Sequence, residues 1–328
     1  MISAPSESEN APRRRQRFGA LDVVRGVALA AMAAYHTVWD LGYLRLTPEN
    51  YALMPAGKLA AHLIAGTFLF LVGIGLVLMN RDGIRWRPFL LRLVRIGGAA
   101  LAITGATWFA FPDSYIFFGI LHGIALSSVL ALPFLFLPPL VTAAFGVLVV
   151  AAPHFVTADI LDAPALAFLG LGRTVPQTND YVPLFPWFGP VLFGIAAARL
   201  ASGRRVAELA GWDASGRLAR GLAFAGRHSL AVYLVHQPLL LAMLTGLVML
   251  TGPHPKAGME SYRKTVERNC IGTGGVAGSC RVAARCVVEA LRREGLWANR
   301  QQSFTLEERA RAMALWQGCA DAAAQPQP

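Results

Sequence analysis

From about residue 20 to about residue 251 the chain is a succession of long apolar runs separated by short polar breaks. A bilayer's hydrocarbon core of about 30 Å takes about 20 apolar residues in a helix. Seven runs meet that need: 20–44, 59–80, 89–110, 115–137, 139–156, 184–201 and 224–250. The fifth starts almost without a connection, at Pro138 and Pro139. The predicted fold class is all-α, a polytopic transmembrane helix bundle of about seven spans over 20–251. A basic tail over 1–19 precedes it, and a small helical, cysteine-containing extension over 252–328 follows. The first run is no cleavable signal peptide: it is too long, and it carries Asp22, Arg25, His36 and Asp40.

Composition agrees with the pattern. Of the 328 residues, 55% are hydrophobic and 15% charged, against roughly a quarter charged in soluble domains. A cytosolic enzyme with a solvated surface, a disordered chain and a fibrous one are all excluded. The net charge of +11 is explained by where the arginines lie. Arg13, Arg14, Arg15, Arg17 and Arg25 open the first span; Arg81, Arg85, Arg87, Arg92 and Arg95 surround the second connection. Arg199, Arg204, Arg205, Arg217, Arg220 and Arg227 precede the last span, and only Arg45, Lys58 and Arg173 fall on the other side. Lys and Arg stay cytoplasmic in short loops, so the expected N-terminus is inside. Orientation accounts for the basic residues, and nucleic acid is not an expected partner; the lipid bilayer is, and a homodimer is compatible with the sequence.

Seven spans from an inside N-terminus would put the tail in the periplasm. Cys270, Cys280, Cys286 and Cys319 are all in it, at gaps of ten, six and thirty-three. Zinc sites usually pair cysteines two to four residues apart, so two disulfides are the better reading, with three connectivities open. Cys280–Glu294 and Leu306–Cys319 read as short amphipathic helices, and Thr305 with Glu308 has the spacing of a capping box. Residues 1–12 and 321–328 are expected to be disordered.

Ionisable groups inside a bilayer are expensive and usually face the bundle interior or a watery cavity. At about 100° per residue, Asp22, Arg25, His36 and Asp40 fall within an arc of about 60°, with Arg25 and His36 about 16 Å apart along the axis. Asp22 and Arg25 serve equally as interfacial anchors, and His36 with Asp40 as a polar pair between helices. The functional reading is a His poised to exchange protons near neutral pH, with Asp40 fixing its tautomer or stabilising its charged form. His122, between Gly119 and Gly123, and Tyr233 with His236, which share a face with Ser229, extend the polar set to two further spans. Arg92 and Arg95, one turn apart, are either orientation charges or an anion site that grips phosphate in a bidentate way.

Four stretches together carry a resemblance: Leu21-Asp22-Val23-Val24-Arg25-Gly26; Tyr35-His36 with Trp39-Asp40-Leu41; Phe118-Gly119-Ile120-Leu121-His122; and Arg227-His228-Ser229-Leu230-Ala231-Val232-Tyr233-Leu234-Val235-His236-Gln237-Pro238. They resemble the bacterial branch of the heparan-alpha-glucosaminide N-acetyltransferase catalytic-domain family, over about residues 17 to 250. That family is similar to a wider set of transmembrane acyltransferases that includes acyltransferase family 3. In the wider set a first-helix Arg or Lys is followed by ten residues and a His, as Arg25 is by His36. An Arg-two-residues-Arg motif opens a later helix, as Arg92 and Arg95 do. The resemblance implies that His36 is the catalytic base and that Arg25, Arg92 and Arg95 hold acyl-coenzyme A, the donor substrate, at the cytoplasmic side. No permanently bound cofactor or metal is implied. A glycan or other small acceptor would be reached from outside. The lysosomal members place a His in the loop after the first helix; residues 45–58 here have none, so direct transfer fits better than an acyl-histidine.

The expected reaction is acyl transfer across the membrane, with His36 as base, Asp40 supporting it, and His122 or Tyr233 donating to the developing oxyanion. A transporter or flippase lined by the same polar stripe is a second class, predicting movement without covalent change. A haem protein with axial ligands among His36, His122 and His236 is a third, told by a haem absorption band.

Overall fold

The computed structural model describes residues 19–81, 83–201, 212, 214–297 and 305–324. The expected arginines at 13–17, 204 and 205 and the expected disorder of 1–12 lie outside these, as do 325–328; of the expected disordered stretch 321–328, residues 321–324 instead complete a helix that runs Leu306–Ala324. Helices in chain order are α1 Gly19–Tyr43, α2 Pro55–Met79, α3 Trp86–Ala110, α4 Ile120–Leu130, α5 Pro139–Phe155, α6 Leu184–Leu200, α7 Arg217–Arg227 and α8 Ser229–Thr251. Three more make the C-terminal extension: α9 Met259–Gly272, α10 Ala277–Arg293 and α11 Leu306–Ala324. No strand occurs among the described residues, only an isolated parallel bridge between Phe118 and Tyr181. The protein is an all-α polytopic membrane protein.

The apolar runs locate the helices: α5 and α6 fill 139–156 and 184–201 to within a residue, and 115–137 is the run that yields a much shorter helix. Among the described residues α1, α2, α3 and α8 are long and apolar enough to cross a membrane, whereas α4, α5 and α6 are shorter apolar helices. The run 115–137 yields only the 11 residues of α4, about 16 Å of helix. Its first residues are instead held extended: the Val182 N–H donates to the Phe118 carbonyl at 3.2 Å and the Asn179 N–H to that of Ser114 at 3.0 Å. Its end is broken by Pro133, which opens a short 3-10 turn, because proline removes a helical donor and clashes with the preceding turn. The run 224–250 also divides, between α7 and α8, at His228, whose φ of −102° and ψ of 27° leave the helical region.

The described chain falls into two compact units. The first comprises Met1–Ala33 and Leu59–His236, the second Ala34–Lys58 and Gln237–Pro328. In the first, Leu69, Leu76, Val191, Leu192 and Ile195 are fully buried at the centre of a cluster that includes Phe89, Ile120 and Val182. Close helix approach fixes its geometry. Gly26 of α1 and Gly226 of α7 face each other so tightly that a Cβ on either would run into the carbonyl of Leu222 or of Asp22; only glycine allows backbones this near.

In the second unit the extension folds around Val287, Leu291, Leu296 and Trp297. Cys270 pairs with Cys280 and Cys286 with Cys319. That settles the connectivity left open by spacing. The capping box at α11 also forms: the Glu308 N–H donates to Thr305 Oγ1 at 3.2 Å, and the Thr305 N–H to Glu308 Oε2 at 2.9 Å.

Candidate active site

The first unit contains a cavity of about 440 Å³ between α1, α2, α3, α4, α7 and α8. Its polar wall is Asp22, Arg25, Arg92, Arg227, Ser229 and Tyr233; Leu29, Leu71, Val72 and Ile124 supply much of the rest. Arg25 follows Asp22 by one turn, and its Nη1 lies 3.4 Å from Asp22 Oδ1. Arg92 stands near enough to Arg25 for the two like charges to oppose each other. Among the lining residues three guanidinium groups thus face one carboxylate. Gly75 is part of the same wall, and a Cβ there would sit 3.3 Å from an Arg25 nitrogen, so its missing side chain leaves Arg25 its room. Arg95, one turn beyond Arg92, is exposed and is not part of this lining.

His122 belongs to the N-terminus of α4. Its Nδ1 accepts the Gly119 N–H at 3.3 Å, and its Nε2 lies 3.2 Å from Thr104 Oγ1. With Nδ1 accepting, Nε2 carries the proton and donates to Thr104, whose hydroxyl passes a bond to the Ile116 carbonyl at 2.7 Å. Both ring nitrogens therefore serve the turn that starts α4. The next amide, Ile120 N–H, donates to Asp180 Oδ2 at 2.9 Å. Asp180 comes from the long connection before α6, and burial pushes its carboxyl up to about 6, against the pull of that one N–H. Its charge reaches Tyr233. His236, one turn beyond Tyr233 on α8, has Nδ1 2.6 Å from the Tyr233 carbonyl, so Nδ1 carries the proton and Nε2 is the basic nitrogen.

In the second unit Asp40 is fully buried. Its Oδ1 accepts Gln237 Nε2 at 2.8 Å. Its Oδ2, together with Gln237 Oε1 and Asn50 Oδ1, is buried with no hydrogen-bond partner among the described residues. Each is an acceptor oxygen, and buried acceptors without donors are uncommon in folded proteins. Asn50 Nδ2 donates to the Trp39 carbonyl at 3.3 Å. His36, half-buried on the same helix, meets Tyr35 edge-on with ring centroids 5.6 Å apart.

Sequence reasoning did not single out Thr104, Asp180, Asn50 or Gln237. Gln237 had a usable signal, being an amide inside an apolar helix. Asn50 and Asp180 had none, because they lie in connections where no periodicity relates them to their partners.

Residues 17–238, more than half the chain, match the model of the family described as heparan-alpha-glucosaminide N-acetyltransferase, catalytic. The chain belongs to that family. As a member of the heparan-alpha-glucosaminide N-acetyltransferase catalytic-domain family it is, in general terms, a membrane acetyltransferase. No curated protein and no solved structure matches it. The matched region takes in α1 through the Gln237-Pro238 step of α8 and stops short of the disulfide-bearing extension.

Proposed function

We propose that this protein moves an acyl group, acetyl above all, from cytosolic acyl-coenzyme A to a hydroxyl or amine of a sugar or other small acceptor at the outer side of a bacterial inner membrane. The observation that carries the reading is the cavity in which Arg25, Arg92 and Arg227 outnumber Asp22. Coenzyme A is a polyanion, and guanidinium forks match phosphate oxygens in a bidentate way. Arg25 and Arg92 hold the donor, and Arg95 assists from the surface. The distribution of arginines favours a cytoplasmic N-terminus, with the extension outside.

In this mechanism the neutral imidazole of His36 takes the proton from the acceptor O–H or N–H as that atom attacks the thioester carbonyl carbon. The new C–O or C–N bond forms as the carbonyl becomes an oxyanion, to which the Tyr233 hydroxyl donates. Collapse breaks the C–S bond, and the thiolate leaves with the proton held on His36, restoring the neutral ring. Asp40 stabilises the imidazolium, and Gln237 holds Asp40. His122 serves by setting the start of α4, and His236 by presenting Nε2 beside Tyr233. His36 lies eleven residues beyond Arg25 on one unbroken helix.

The test is acyl transfer by purified His36→Ala protein in lipid nanodiscs, with membrane insertion and thermal midpoint checked alongside. Loss of transfer by a well-inserted variant is expected. Wild-type rates from that variant would remove His36 from the mechanism. Mass profiles of envelope glycans with and without the protein would name the acceptor by a shift of one acetyl group.

A further inference from the structure

The family region ends at 238, which leaves the extension without a role. Its contacts suggest one. The N-cap of α9 is Gly258, which has no side chain to cap the first amides. The acceptor comes instead from far along the chain. Glu49 Oε1 accepts the N–H of Glu260 and of Ser261, both at 3.1 Å, and Oε2 accepts the Ser261 hydroxyl. A carboxylate there satisfies orphan donors and meets the positive end of the helix dipole. Two backbone bonds flank it: the His254 N–H to the Arg45 carbonyl and the Gly258 N–H to that of Pro48, each at 2.7 Å.

All these bonds end on Arg45–Glu49, a stretch that needs holding. Arg45 has a φ of 58°, a left-handed conformation that a residue with a Cβ adopts only where its surroundings impose it. The next residue is Asn50, which donates to the Trp39 carbonyl. It lies so close to Gly42 that a Cβ there would collide with its Cα and side chain. Asn50 thereby fastens the connection to the Trp39–Gly42 turn at the end of α1, the turn whose other face carries Asp40. The extension can supply the rigidity. Alone, the 14 residues of α9 would be marginal as a helix; Cys270–Cys280 ties α9 to α10, and Cys286–Cys319 ties α10 to α11.

We propose that the disulfide-stapled extension is a strap that holds the Arg45–Asn50 connection against the end of α1 that carries Asp40, with Glu49 as the positioning residue through which it grips. The part played in acyl transfer rests on the function proposed above; the strap itself does not.

The test uses the full-length protein in nanodiscs, with Glu49→Ala, Glu49→Gln and Ser261→Ala. Amide hydrogen exchange reads the strap, and turnover with acetyl-coenzyme A and glucosamine reads the reaction. In Glu49→Ala the amides of residues 44–54 exchange at least tenfold faster, while α2 to α6 keep their protection. Glu49→Gln, which keeps the Oε1 acceptor, stays within threefold of wild type. Ser261→Ala, which loses one donor of three, falls between. The Michaelis constant for glucosamine rises about tenfold in Glu49→Ala, while that for acetyl-coenzyme A stays put and Glu49→Gln restores it. Unchanged exchange in both Glu49→Ala and Ser261→Ala would overturn the strap. Faster exchange with unaltered kinetics would overturn its part in the reaction. A wild-type protein that transfers nothing would instead count against the acyltransferase reading, and the exchange result would still decide the strap.

Discussion

Replacing Asp180 by Asn isolates the charge of a buried carboxyl from the hydrogen bond it makes. In the folded protein burial holds this group at about 6, against 3.8 in the absence of the fold. Between those values the folded state keeps a proton that the unfolded state has released, so stability falls as pH rises from about 4 to about 6 and is level above. The full loss corresponds to about 3 kcal/mol, of which about 2 kcal/mol falls between pH 4.5 and pH 7.5. Asn cannot ionise, yet its Oδ1 still accepts the Ile120 N–H that Asp180 holds at 2.9 Å. Asp180→Asn is therefore expected to gain on wild type by about 2 kcal/mol more at pH 7.5 than at pH 4.5, about 3 °C in thermal midpoint for a chain of 328 residues. Differential scanning fluorimetry in one detergent at both pH values measures it. The histidines titrate in both proteins and cancel in the difference. Asp180→Ala is the control: it lacks the acceptor and should lie below Asp180→Asn by about 1 kcal/mol at either pH. An offset between wild type and Asp180→Asn that does not change with pH would refute the reasoning.

Two further outcomes follow from packing and cross-linking. Gly226→Val should cost about 3 kcal/mol or more, because the side chain meets the Asp22 carbonyl. Gly221→Val, five residues earlier in open space, should cost nothing and gain a few tenths of a kcal/mol in helix propensity, and equal yields of monodisperse protein from the two variants would contradict the close crossing. Removing the Cys286–Cys319 bond with paired Cys→Ser changes opens a separation of 33 residues and should cost about 3–4 kcal/mol. The Cys270–Cys280 bond, at a separation of 10, should cost nearer 2–3 kcal/mol. Urea titrations read by amide exchange in α10 give the order, and the reverse order would refute the loop-length account.

Hydropathy located α1, α2, α3 and α8 because a long apolar run at a bilayer's thickness has one stable solution. It misjudged 115–137 because apolar character does not distinguish a helix from an extended segment. Tyr115 to Phe118 pair with the connection before α6, and only that distant connection makes them extended. The charged residues of α1 were legible for the same reason as the span: Arg25 and Asp40 stand out against Ala and Val. Cysteine spacing was enough to expect two disulfides but not to pair them, since pairing is set by which helices pack. Glu49 gripping the start of α9, and Asp180 that of α4, join residues from unrelated stretches, and no local pattern announces either.

The crossing of Gly26 with Gly226 has a mechanical consequence. Two helices touching through bare main chain have no side chains to act as bearings, so they can neither slide past nor roll over one another without a gap opening. α1 and α7 must travel as one strut. Substrate entry and exit in the arginine-lined chamber are then expected to use rotamer changes and movement of its other walls, with these two helices kept together.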